Sequence, residues 1–242
     1  MLENTSVIVT GGASGIGLGI AKAFVDAGAK VAIGGRRSSA VESAVSSIGA
    51  SGRIFGHVLD VTDRKQVKEF FEWAERSIGQ PEILVQAAGM NIRNRSIDKM
   101  LPEDWDQVLA TNATGAYNCM IAVLPAMRAK RSGLIINISS IAGKRAIALG
   151  GVAYCASKFA MTAMGTCVSN EVGNDGVRIT NVYPGEVNTP ILDQRPTPVT
   201  DEHKQRILQP EDVAAMIIAI ARLPAQAHVP EIVIKPVTQQ FF

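Results

Sequence analysis

Ser6-Val7-Ile8-Val9-Thr10-Gly11-Gly12-Ala13-Ser14-Gly15-Ile16-Gly17 is the stretch whose reading decides the fold. A short β-branched run, Ser6 to Thr10, reads as a buried strand that passes straight into a glycine-rich turn. Apolar positions at Ala21, Phe24 and Val25 then predict a helix, with Gly28 placed to end it. Strand, glycine turn and helix N-terminus in that order gather backbone N–H groups and the positive end of a helix dipole around one point, an anion site. The spacing is Gly-x3-Gly-x-Gly, from Gly11, Gly15 and Gly17, and not the ordinary dinucleotide fingerprint Gly-x-Gly-x-x-Gly. Glycine-rich turns also serve tight backbone geometry alone; the flanking strand and helix favour the anion site.

Working outward, strand patterns recur at 30–34, 54–59, 83–85, 134–138, 177–183 and 231–235. Helical patterns separate them. Ser39-x-x-Glu42 reads as a capping box. Asp63 reads as the cap of a helix over 64–78 with Val67, Phe70, Phe71 and Ala74 on one side. A long helix is expected from near Pro102 to Lys130, and Asn112 and Gly115 in its middle call for a kink or close packing. Further helices run through Met161, Met164 and Val168 and over 211–222. Alternation of this kind predicts an α/β fold, a doubly wound, Rossmann-type parallel sheet of seven strands with helices on both faces. One domain over 1–242 accommodates all of it, with the polar, proline-containing segment 186–208 as a substrate lid.

The totals bound the function. Hydrophobic residues make up 47% and aromatics 5%, which suits a close-packed Ala/Ile/Val core. A net charge of +2 argues against a nucleic acid or an anionic membrane as partner. Cys119, Cys155 and Cys167 have neither disulfide nor metal-ligand spacing, so a reduced compartment is expected. No segment has the length and apolarity of a membrane span, and the first strand begins too early for a signal peptide ahead of it, so a cytoplasmic protein is expected. His57, His203 and His228 lack companions at ligand spacing, and no metal site is expected.

Chemistry-bearing residues fall where strands end. The second strand closes on Arg36 and Arg37, where an acidic residue would select NAD; two arginines suit the 2′-phosphate of NADP, or else form a solvated basic turn. Asp60 ends the third strand, where it could face an adenine amino group. Gln86-Ala87-Ala88-Gly89 leaves the fourth strand with small residues that let a ligand approach, or that simply fit a crowded turn. Met90-Asn91-Ile92-Arg93-Asn94-Arg95-Ser96 reads first as a solvated basic loop and second as a surface for an anionic substrate. Ser139-Ser140 is delivered at the carboxyl end of the fifth strand. Tyr154 and Lys158, four apart, share one face of a helix, and an ammonium beside a phenol favours the phenolate.

Thr10-Gly11-x-x-x-Gly15-x-Gly17, Ala88-Gly89, Asn112, Ser140, Tyr154-x-x-x-Lys158 and Pro184-Gly185 together resemble the short-chain dehydrogenases/reductases over essentially the whole chain. The resemblance implies an NADP(H)-dependent oxidoreductase, NAD being less suited, that interconverts a ketone and a secondary alcohol. Tyr154 would be the general acid/base, Lys158 would lower its pKa and hold the nicotinamide ribose, Ser140 would orient the substrate oxygen, and Asn112 would anchor a water in a proton relay. Gly11, Ser14, Ile16 and Gly17 would cradle the pyrophosphate, Asp60 and Val61 would bracket the adenine, and Val187 with Thr189, after Pro184, would hold the carboxamide. A homotetramer using the helices that carry Asn112 and Tyr154 is implied as well. An alternative is a nucleotide-sensing scaffold that kept the fold without the chemistry.

Three departures from the family pattern stand out. Gln86-Ala87 replaces the usual Asn-Asn, the Ser140–Tyr154 interval is one residue longer than the commonest, and the tail is Lys235-Pro236-Val237 where acyl-carrier-protein reductases often have Asp-Gly-Gly. The substrate expectation is accordingly divided between a 3-oxoacyl thioester and a small hydroxy acid or alcohol.

Overall fold

The computed structural model describes residues 2–240. In chain order the elements are β1 (Ser6–Thr10), α1 (Gly15–Asp26), β2 (Lys30–Gly35), α2 (Ser38–Ile48), β3 (Ile54–Val58), α3 (Arg64–Ile78) and β4 (Ile83–Gln86). They continue with α4 (Pro102–Leu109), α5 (Gly115–Lys130), β5 (Gly133–Ile138), α6 (Val152–Val172), β6 (Val177–Pro184), α7 (Asp201–Arg206), α8 (Pro210–Ala221) and β7 (Glu231–Ile234). The strands form one seven-stranded sheet in the order β3-β2-β1-β4-β5-β6-β7, parallel throughout. The order reverses between β1 and β4, so their carboxyl ends open the crevice where such sheets bind ligands.

Period-two alternation along buried strands builds two cores. Val7, Val9, Val31, Ile33, Val85 and Ile136 pack with Ile20, Phe24 and Ile217 of α1 and α8 on one face. Ile8, Ala32, Leu84, Ile135 and Ile179 pack with Phe70, Val123 and Met127 of α3 and α5 on the other. Each of the larger side chains among these, taken fully out of water, contributes about 1.5–3 kcal/mol.

One layer nearer the carboxyl ends, that second face turns polar. Gln86 and Asn137 are register partners, as are Asn137 and Asn181. Gln86 Nε2 donates to Asn137 Oδ1 (3.0 Å), and Asn137 Nδ2 donates to Asn181 Oδ1 (2.9 Å). Asn181 Nδ2 then donates to α6, at the Thr162 carbonyl and the Thr166 hydroxyl, both 3.3 Å away. Gly165 lets the helix come down onto this ladder, since a Cβ there would stand 2.3 Å from Asn181 Oδ1. The height and rotation of α6 are thereby set by buried polar groups that must find partners.

The long helix expected from Pro102 to Lys130 is interrupted by a π segment at Ala110–Thr114. Asn112 lies inside it, fully buried, and Gly115 follows, where a Cβ would be 2.4 Å from Val61 Cγ2. The kink and the close packing that those two residues called for are both present. Asp63 caps α3 by accepting the Lys65 and Gln66 N–H groups. The expected Ser39/Glu42 box does not form. Arg37 takes the extended cap position of α2, leaving Ser39 inside the helix, and the Ser38 hydroxyl bonds Glu42 instead (2.7 Å).

Candidate active site

A cleft of about 740 Å³ opens at the carboxyl edge of the sheet, lined at one end by Gly11, Ser14, Ile16 and Gly17 and at the other by Ser140, Tyr154 and Lys158. Gly11 has φ +69°, and a Cβ on it would lie 2.7 Å from Ala87 O and the Ala88 backbone. A Cβ on Gly17 would lie 2.3 Å from Gly11 O. Neither position admits a side chain. Ser14 caps α1 in an extended conformation without a side-chain bond, and the first turn holds no acidic residue. The amides at this helix end are left for an anion from the cleft. Arg36 also lines the cleft, and no carboxylate pairs with it among the described residues. This donor set, a glycine cradle with a free guanidinium beyond it, fits a phosphorylated dinucleotide.

Lys158, on α6, is 4% exposed, and its Nζ donates to the Ile138 carbonyl (2.8 Å) and sits 5.7 Å from the Tyr154 ring centre. Burial pushes its pKa down to about 8. Tyr154, half-buried one turn earlier, is pushed above its ordinary value by burial, with a hydrogen bond to Ser140 working the other way. The sequence had put the ammonium's attraction first and expected a lowered phenol. Desolvation dominates here, because the same burial that brings the two groups together penalises the phenolate and the ammonium alike. Ser140 is extended, and its Oγ accepts the Ala142 N–H (3.1 Å) at the start of the turn that leads toward α6.

Asn112 stands behind this group and does not line the cleft. Its Oδ1 accepts the Met90 N–H (2.8 Å), while its Nδ2 donates to Met90 O (2.9 Å) and Ser157 Oγ (3.0 Å). The amide thus helps hold the β4 exit to α6. Gly89 lies between, a Cβ on it standing 3.5 Å from both Asn112 Oδ1 and Lys158 Nζ.

Pro184, Val187 and Thr189 line the cleft as well, and the methyl end of Thr189 lies 3.1 Å from where a Gly15 Cβ would be. Arg37, Asp60, Val61 and Ala88 fall outside the lining. Asp60 Oδ1 accepts the N–H (2.9 Å) and hydroxyl (2.8 Å) of Thr62, and Val61 O accepts from Asn118 Nδ2 (2.9 Å), so their nearest partners are structural. Among the described residues no cluster of His, Cys, Asp or Glu could hold a metal, and no helix is long and apolar enough to cross a membrane.

Sequence reasoning missed the far wall. The loop after β4, read first as solvated, is folded inward, with Asn91, Ile92 and Arg95 each 8% exposed. Arg95 Nε donates to Ile92 O (2.9 Å), Nη1 to Leu149 O (2.8 Å) and Nη2 to Gln194 O. Asn91 Nδ2 donates to Gly150 O (3.0 Å). The one-residue-longer interval before Tyr154 and the segment after β6 are thus both tied to this loop. Gly150-Gly151 was the available signal: Gly151 has φ +81°, and its Cβ would lie 2.5 Å from Arg95 Cβ.

The short chain dehydrogenase family profile matches residues 5–199. The chain belongs to the short-chain dehydrogenases/reductases. The chain is 33% identical over 226 residues to a 3-oxoacyl-[acyl-carrier-protein] reductase of Thermotoga maritima, covering 91% of each chain. It is 35% identical, over 97% of its length, to a glycine betaine reductase of Emericella nidulans, a longer protein of which it spans 19%. A closed form of serine dehydrogenase complexed with NADP⁺ superposes with a TM-score of 0.89 at 29% identity, covering 97% of this chain and 96% of that one.

Proposed function

We propose that this short-chain dehydrogenase interconverts a ketone and a secondary alcohol with NADP(H), using Tyr154 as general acid/base. The observation that carries the proposal is the meeting, in one cleft, of a glycine cradle and Arg36 with Ser140, Tyr154 and a buried Lys158. Gly11, Ser14, Ile16 and Gly17 would hold the pyrophosphate, Arg36 the 2′-phosphate, and Val187 and Thr189 the carboxamide. When bound, the dinucleotide supplies or accepts the hydride. Ser140 holds the substrate oxygen, and Tyr154 delivers the proton to that oxygen in reduction or takes it in oxidation. Lys158 positions the phenol from below, and Asn112 holds Met90 and Ser157 so that the cleft floor stays in place. The bound NADP⁺ of the serine dehydrogenase neighbour supports the choice of cofactor.

The segment 186–208 serves as a lid over a single catalytic domain spanning 1–242, and we place the protein in the cytoplasm. A homotetramer is the assembly we propose, for which Tyr117, Ile121 and Phe159 supply exposed apolar surface on α5 and α6. Met161 of α6 lies in the core and adds nothing to that surface. Tyr154→Phe tests the chemistry: NADPH affinity should be nearly unchanged while turnover falls about 10²–10⁴-fold. Full turnover in that variant refutes the assignment. Tight NADPH binding by the wild type without turnover of any carbonyl would point instead to a nucleotide sensor.

A further inference from the structure

Arg95 is a buried cation without a counter-ion. It is 8% exposed, lines the cleft that holds Tyr154 and Ser140, and meets no carboxylate among the described residues; all three of its hydrogen bonds run to backbone carbonyls. Carbonyl dipoles satisfy donors but leave the charge in place, and removing a guanidinium from water without an anion is costly. The cost is compounded by a second guanidinium. Arg195 faces the same cleft and has its own carboxylate, Glu186 (3.2 Å), which is already shared with His203 (2.5 Å). The mutual repulsion of Arg95 and Arg195 is felt in the titration of Arg95, which the Tyr154 phenol also influences. Three of the five N–H groups of Arg95 are engaged, which leaves two for a ligand.

We propose that Arg95 is the receptor for a carboxylate on the substrate, so that the enzyme acts on small oxo and hydroxy acids whose carbonyl or carbinol carbon lies within a few bonds of the acid group. This rests on the ketone/alcohol reading and selects between its two substrate classes. A planar fork largely withdrawn from solvent is an arrangement suited to binding carboxylate. It also explains why one side chain joins three loops. Arg95 fastens the loop after β4 to Leu149, before Tyr154, and to Gln194, in the segment after β6. A carboxylate arriving at Arg95 neutralises the residue on which all three walls converge, so anion binding and closure of the chamber favour one another.

The test pairs 2-oxo and 3-oxo acids with their methyl esters and with neutral 3-oxoacyl N-acetylcysteamine thioesters. Binding to the enzyme–NADPH complex is read by the initial stopped-flow quenching of NADPH fluorescence, before turnover consumes the dinucleotide. At least one acid should bind more than about tenfold tighter than its ester, as loss of a charged hydrogen-bonded pair requires. Arg95→Met should erase that acid-to-ester ratio and Arg95→Lys should retain part of it, with NADPH affinity reporting that each variant folds. If esters or thioesters bind the wild type as well as every acid does, the proposal fails, whether or not a variant folds. If the acid preference is present but survives Arg95→Met in a protein that binds NADPH, it fails as well. Rapid reduction of neutral ketones without an acid preference would sink this inference and leave the ketone/alcohol chemistry standing; no carbonyl turnover at all would sink that chemistry first.

Discussion

Replacing Lys158 by Met should make the folded protein relatively more stable at neutral pH while removing its chemistry, and the gain should vanish in alkali. Burial holds the Lys158 ammonium at about 8 against an ordinary 10.5. Each pKa unit is worth about 1.4 kcal/mol, so below pH 8 the folded state carries a penalty of about 3 kcal/mol that the unfolded chain does not. The sign follows from proton counting. Between pH 8 and 10.5 the unfolded state holds the proton and the folded state has released it, so wild-type stability rises with pH across that window. Lys158→Met has nothing to titrate there. The variant also loses the bond from Nζ to Ile138 O, a cost that does not vary with pH. Urea unfolding of both proteins at intervals from pH 7 to 10.5 isolates the effect, because titrating groups away from Lys158 cancel in the difference. The Met variant's stability relative to wild type should fall by about 3 kcal/mol from the lower to the upper end. A difference that stays flat, or grows with pH, refutes the claim that Lys158 is held in a desolvated, cationic state.

The cofactor end gives a sharper contrast than the sequence allowed. Arg36→Ala should weaken NADPH roughly 10–100-fold by loss of a charge-assisted contact and leave NADH nearly untouched, whereas Arg37→Ala should do much less because Arg37 lies outside the cleft; equal losses for both dinucleotides would refute the phosphate role. Gly17→Ala should abolish NADPH binding in fluorescence titrations, since its Cβ would be driven to 2.3 Å from Gly11 O, and retained affinity would show that the turn can relax. Gly165→Ala should cost about 2–4 kcal/mol in urea unfolding, by overpacking and by breaking the Asn137–Asn181 bond, and a neutral result would mean that α6 is not held by the ladder. With Tyr154 raised above its ordinary pKa, alcohol oxidation, which needs the phenolate, should climb through the alkaline range while ketone reduction does not; parallel pH profiles would argue against Tyr154 as the proton carrier.

What could be read in advance was whatever depends on backbone geometry or on near neighbours. Gly11 and Gly17 are legible because a required close approach excludes every other residue type, and that exclusion is written in the chain. Tyr154 and Lys158 are legible because four residues on a helix fix a common face. The seven strands and their parallel pairing followed from alternation, while the order in which they lie is read only from the structure. What escaped depends on distant partners. Arg95 looks like any arginine in a polar loop until Leu149 and Gln194, 54 and 99 positions away, supply their carbonyls. The π segment around Asn112 announces itself only as a residue ill suited to a helix. The pKa of Tyr154 was misjudged for the same reason: its charged neighbour is visible in sequence, and the burial that outweighs it is not.

The polar ladder and Arg95 act on the same helix from opposite ends. Gln86, Asn137 and Asn181 hold α6 at Thr162, Gly165 and Thr166, below the reactive turn. Arg95 and Asn91 hold the loop that enters α6, at Leu149 and Gly150. Tyr154 and Lys158 lie between the two fastenings. The lower one is buried and made of neutral amides whose geometry admits few alternatives, which suits a fixed proton donor. The upper one is a buried cation bonded only to backbone carbonyls, which suits the anion receptor proposed above. The departure of Gln86 from the usual asparagine falls at the end of the lower fastening, with its Oε1 buried and without a partner. The longer interval before Tyr154 falls in the upper one. The fold keeps Tyr154 in place from below, and this chain's own departures bear on how firmly α6 is seated and on what is allowed to approach it from above.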